Sequence, residues 1–220
     1  MQSTVAITIS RQLGSGGSHI GQRVARRLGY TYIDRQIMQY AAEELGVDEA
    51  EIEGREGRLQ SFWEKLTAGF AMANPYAGRV PSQCMVSDDQ LAEIERRLII
   101  ELVAKGPCVV LGRGAFQLLR GRARLFNVMV HAPPAFRVER VTNIYHAPSK
   151  AEAIQIIERS DRDRSRYIRA FTGLDWFDSR NYHLTIDTGK IDFATAEEMI
   201  VSVAGRMLEH EGWRWVNEPI

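Results

Sequence analysis

Val5-Ala6-Ile7-Thr8-Ile9 leads into Ser10-Arg11-Gln12-Leu13-Gly14-Ser15-Gly16-Gly17-Ser18-His19-Ile20-Gly21. The first five residues form an apolar, β-branched run suited to a buried strand. The last ones open a segment in which Ile20, Val24 and Leu28 recur at helical spacing until Gly29 stops it. A glycine-rich turn between a strand and a helix lets successive backbone N–H groups curl around a phosphate, and the helix N-terminus adds positive potential. Gly14, Gly16 and Gly17 also fit a plain tight turn. Gly14-x-Gly16 further fits the first half of a dinucleotide fingerprint, with Asp34 about 20 residues on as a ribose-binding acid. His19 stands where that fingerprint wants its third glycine. The strict phosphate-loop pattern is broken as well: Arg11 takes its first glycine position, Gly17 its lysine position, and His19 a hydroxyl position that Ser18, one step away, can fill for Mg²⁺.

Outward from the loop, strands alternate with helices. Tyr30–Ile33, Cys108–Leu111, Leu125–Val130 and Leu184–Asp187 read as further strands. Segments 36–46, 88–105 (inner stripe Leu91, Ile94, Leu98 and Leu102), 137–145, 150–169 and 192–212 read as helices. This order predicts an α/β fold in three layers around a parallel sheet. The excursion between Asp34 and Cys108 exceeds a normal crossover, so part of it is expected to form an inserted helical lobe within residues 36–105. Phe62, Trp63 and Phe70 would line its inner face.

The chain has 220 residues and zero formal net charge. That length supports a single large domain, 1–220, with no covalent staples. Charge balance argues against nucleic acid and membrane surfaces as partners. No uncharged run approaches the ~20 residues that span a bilayer. Cys84 and Cys108 lack metal spacing, and with no signal-like N-terminus they point to a reduced, cytoplasmic protein. The Trp213-Arg214-Trp215 segment is suited to packing on the core or on a second copy in a homo-oligomer.

Arg159-Ser160-Asp161-Arg162-Asp163-Arg164-Ser165-Arg166 is the second informative stretch. On a helix Arg159, Asp163 and Arg166 share a face, and Arg162, Arg166 and Arg169 make a neighbouring row. Alternating charge of this kind fits a solvated surface. It equally fits an arginine lid within 155–180 closing over phosphates, since arginine stays ionised and grips oxyanions bidentately.

Taken together, these stretches resemble the cytidylate kinase-like family of nucleoside monophosphate kinases. Gly14-Ser15-Gly16-Gly17-Ser18-His19 fits the family's Gly-Ser-Gly-Lys-Gly-Thr frame without its Lys and Thr. Tyr32-Ile33-Asp34 fits its Tyr-Leu-Asp run, and Gly112-Arg113 its Gly-Arg strand end, with Gly114 in place of an aspartate. Arg159 to Arg166 fits its Arg-x-Asp-Arg-Asp-Arg-x-Arg lid, and Ile186-Asp187 the strand end that follows. The resemblance implies a P-loop kinase sheet with an inserted monophosphate-binding lobe and an arginine-rich lid. It implies ATP, Mg²⁺ and a CMP-like acceptor as ligands. It also implies nucleotide contacts at Gly14, Ser15, Gly16, Gly17, Ser18, His19, Asp34, Arg113, Arg159, Asp163 and Arg164. Arg162 and Arg166 would close on the phosphates, and Ser18 would meet the metal. Arg11, which enters the same loop, is the nearest candidate to replace the missing lysine, and it equally fits a solvent-facing loop arginine. The substitutions at positions 17, 19 and 114 keep a second reading open, a nucleotide-binding regulatory module without catalysis.

Overall fold

The computed structural model describes residues 4–34, 88–145 and 147–209. The chain divides into two compact units, residues 1–33 with 100–220, and residues 34–99. Most of the expected lobe, with Phe62, Trp63 and Phe70, lies outside the described residues, as do Cys84 and the Trp213–Trp215 segment.

Five parallel strands form the sheet of the larger unit: β1 (Val5–Arg11), β2 (Thr31–Ile33), β3 (Cys108–Leu111), β4 (Arg124–His131) and β5 (Leu184–Asp187), in the order β2-β3-β1-β4-β5. β1 is central, with Ile9 beside Leu111 on one side and Val128 on the other. The helices are α1 (Gly17–Leu28), α2 (Asp88–Lys105), α3 (Ala115–Leu118), α4 (Pro134–Ile144), α5 (Lys150–Thr172) and α6 (Phe193–Glu209). A short 3₁₀ turn, Ser179–Asn181, precedes β5. In α2 the expected stripe is buried at Leu98 and Leu102, while Leu91 and Ile94 lie outside the described side chains.

Side chains alternate across β1 and bury both faces. Ile7 and Ile9 are fully buried, and α1 lies on the Ile9 face, where a Cβ at Gly21 would sit 3.3 Å from Ile9 Cδ1. The opposite face carries Thr8, whose hydroxyl donates to Asn127 Oδ1 at 2.8 Å, so both buried polar groups are satisfied. Met129 continues that face and packs with Phe116, Ile168, Trp176 and Tyr182. Helices thus cover both faces, as near-continuous apolar parallel strands require. Such sheets present ligand sites at the carboxyl ends of their strands, and β1 ends there at Arg11.

Candidate anion site at the carboxyl edge of the sheet

Beyond Arg11 the chain turns sharply. Gln12 N–H still reaches the Val130 carbonyl at 3.0 Å, and then Ser15 N–H folds back to the Gln12 carbonyl at 3.3 Å. Gly14 and Gly16 adopt φ of 84° and 83°, a left-handed conformation that glycine takes without steric cost. Gly16 is the N-cap of α1, and no side chain caps that helix. Among the described residues the first-turn amides of Gly17, Ser18 and His19 thus have no side-chain cap, and such amides suit an anionic acceptor. The loop is braced from outside, as the Thr188 hydroxyl donates to the Ser15 carbonyl at 2.7 Å. Tyr32 O–H also points to the Ser18 carbonyl, at 3.4 Å.

Arg11 runs along this loop. A Cβ at Gly17 would lie 2.5 Å from Arg11 Cβ and 3.0 Å from its Cγ. At the far end, Arg11 Nη1 fills the place a Cβ would take at Gly112. There β3 passes into Gly112-Arg113-Gly114, whose φ values are 73°, 56° and 64°. Arg113 is the one non-glycine residue with positive φ among those described, a conformation of the kind stored at functional sites. Its guanidinium stands 6.0 Å from the centre of the Tyr167 ring. The position of Gly114 excludes the aspartate of the resembled family, because a Cβ there would press on Phe171 Cδ1 at 2.9 Å.

A cluster of cations faces the loop from α4 and α5. Arg137 is buried, its Nε donating to the Leu13 carbonyl at 2.7 Å and its Nη2 lying 2.8 Å from Asp161 Oδ2. Gln12 Nε2 donates to the same carboxylate oxygen at 3.2 Å. Arg164 Nη1 is buried without a hydrogen bond, 4.0 Å from Asp161 Oδ1. Burial, then the nearby charge of Arg11, pushes the Arg164 guanidinium down to about 10, against the pull of Asp161. Arg137 and Arg164 thus share the Asp161 carboxylate, with the charge of Arg11 close to Arg164, a clustering of guanidinium groups suited to an anion.

On the other flank the Phe193 ring lies against Gly16, where no Cβ would fit. Arg140 stacks over that ring at 4.6 Å, and His19 meets it at 5.9 Å. Burial and then Arg23 and Arg140 lower the His19 pKa.

Of the residues singled out from sequence, the structure gathers Arg11, Gly14, Ser15, Gly16, Gly17, Ser18, His19 and Arg164 at the loop. Arg113 stands on the neighbouring loop, and Asp34 directly follows β2. Arg159, Arg162, Asp163 and Arg166 are exposed on α5, and Arg162 pairs with Glu158 at 3.6 Å. Arg137 and Asp161 escaped the sequence reading as site residues. A signal for Asp161 was present: Ala153, Ile157 and Ile168 mark the buried stripe of α5, and positions 161 and 164 fall on it.

The fold and the loop define a P-loop kinase-like α/β protein. The chain belongs to the cytidylate kinase-like family, whose model matches residues 6–190. A search of the curated proteins gives no match. Among solved structures, an uncharacterized protein from Eubacterium ventriosum is similar at 18% identity and a TM-score of 0.66, covering 91% of this chain and 98% of its own. A Thermus thermophilus protein is similar at 20% identity and a TM-score of 0.51, covering 92% and 98%. Shikimate kinase from Bacteroides thetaiotaomicron is similar at 15% identity and a TM-score of 0.50, covering 94% and 100%. At these identities the likeness is one of fold.

Proposed function

We infer that the chain transfers the γ-phosphoryl group of ATP to CMP or a related nucleoside monophosphate. The observation that carries this reading is the crowding of Arg137 and Arg164 on Asp161, with Arg11 close to Arg164, beside the glycine-capped N-terminus of α1. In the reaction an acceptor phosphate oxygen bonds to the γ-phosphorus. The bond to the β–γ bridging oxygen breaks, and its electron pair leaves with ADP. A monophosphate dianion and an ATP tetra-anion become two trianions, so no proton has to move. The protein's task is positioning and neutralising charge, which arginines and backbone amides can perform without a general base.

The amides of Gly14 to Ser18 would hold the donor phosphates, with His19 alongside. Arg113, held at the acceptor side by its left-handed backbone, would take the monophosphate, with Asp34 contributing at the end of β2. Arg159, Arg162, Asp163 and Arg166 would meet the nucleotides on closure of the lid, excluding water and limiting wasteful hydrolysis. Mg²⁺ arriving with ATP would neutralise β- and γ-oxygens. Ser18, in the first turn of α1, would offer its hydroxyl to that metal. That is the sparse protein share typical of nucleotide-bound Mg²⁺. No described helix is long and apolar enough to cross a membrane, and a cytoplasmic enzyme acting on small nucleotides fits the charge balance.

A coupled ADP-release assay with ATP and a panel of monophosphates tests the reading. Turnover is expected with CMP or a close relative. Measurable ATP affinity without turnover on any acceptor would replace the kinase by a nucleotide-sensing module.

A further inference from the structure

We propose that Arg11, from the end of β1, supplies the cation that a phosphate loop ordinarily takes from a lysine at the position of Gly17, and that Gly17 is small because the Arg11 side chain crosses it on the way to Gly112. The proposal rests on the phosphoryl-transfer reading above and names the residue that neutralises the transferred group.

Gly17 is not required by its backbone, since it is helical and not left-handed, unlike Gly14 and Gly16. Glycine is a poor helix former, so its backbone preference does not explain its place there. The constraint is steric. A Cβ at 17 would sit 2.5 Å from Arg11 Cβ, 3.0 Å from Arg11 Cγ and 3.4 Å from Val130 Cβ. The first methylene of a lysine at 17 and the stem of Arg11 claim the same space, so the two cations are alternatives. Strand register sets the far end. Ile9 pairs with Leu111, so Arg11 leaves β1 just beyond the point where Gly112 leaves β3. The guanidinium accordingly reaches Gly112, beside Arg113, while its stem rests on the glycine loop. It spans from the donor loop to the acceptor loop, the interval that a phosphoryl group crosses in transfer. Arg164 converges on the same interval from α5.

The exchange tests this directly. Arg11→Met keeps the stem packing on Gly17 and removes the charge. The double variant Arg11→Ala/Gly17→Lys returns the cation to the ordinary place. We expect Arg11→Met to lower kcat by about 10³-fold, the range for loss of a transition-state arginine, with an unchanged melting temperature. The double variant should recover at least tenfold of that loss. In calorimetry, wild type should bind ATP more tightly than ADP. Arg11→Met should lose that preference and the double variant regain it. Near-wild-type turnover and ATP preference in Arg11→Met would overturn the role of Arg11 while leaving the kinase reading intact. Absence of turnover in wild type, with an Arg11-dependent preference for ATP, would sink transfer and keep Arg11 as the γ-phosphate ligand. A loss in Arg11→Met that the double variant fails to recover would refute the exchange of places.

Discussion

Arg137 and Asp161 form an ion pair of 2.8 Å between α4 and α5, on a guanidinium that also donates to the Leu13 carbonyl. One side chain therefore ties the glycine loop to the helix carrying the arginine-rich stretch. Removing one partner of a buried pair leaves the other charge stranded. Asp161→Asn should destabilise the ligand-free protein by about 3 kcal/mol in urea unfolding. Added ATP should recover part of the loss by replacing the missing negative charge, and the ligand-induced shift should be larger than in wild type.

Arg164 poses the opposite case. Its guanidinium is pushed down by burial and by Arg11, so the ligand-free fold carries it at a cost. Arg164→Met should raise ligand-free stability by about 0.5–2 kcal/mol, as removal of a strained functional group commonly does. The same variant should lose most of the thermal stabilisation that ATP provides. Thermal scans with and without ATP give both numbers, and a variant that loses stability in both conditions would contradict the account.

Gly16 combines φ of 83° with the Phe193 ring on its Cβ side. Gly16→Ala adds backbone strain of order 1–3 kcal/mol to a steric conflict with that ring. ATP affinity should fall accordingly. Adding Phe193→Ala should relieve the conflict but not the backbone strain, giving partial recovery in an isothermal titration.

His19 provides the pH dependence. Burial and the neighbouring Arg23 and Arg140 hold its pKa below the ordinary value, so the native state binds fewer protons than the unfolded chain as the medium turns acid. This stabilising contribution is complete above a pH of about 6.5 and is lost as the pH falls toward the lower folded value. Urea midpoints measured between about pH 7.5 and pH 5 should fall more steeply for wild type than for His19→Gln.

Much of the fold was legible from short apolar runs. Cys108–Leu111 and Leu184–Asp187 have the boundaries their composition suggests. β4 extends outward to Arg124 and His131, because backbone pairing continues past the last apolar side chain. α1 begins at Gly17, three residues before its periodicity, since glycines carry no hydrophobic signal. The four-residue helix Ala115–Leu118 is too short for periodicity to register. The site was half legible: glycine spacing and arginine density marked two stretches without showing how they meet.

Local sequence determined the strand–glycine–helix turn and the family's pattern of arginines, because periodicity, left-handed glycines and charge spacing are properties of neighbouring residues. The tertiary structure alone decided which charges face inward. On α5 the rows seen in the sequence, Arg159 with Arg166 and Arg162 with Arg169, turn to solvent. Asp161 and Arg164 turn to the loop, because the apolar anchors Ala153, Ile157 and Ile168 set the helix's rotation. The path of Arg11 across Gly17 to Gly112 likewise needed the register of β1 on β3, which joins residues about a hundred positions apart. Packing and strand pairing are long-range, and no local pattern encodes which partner comes to rest against them.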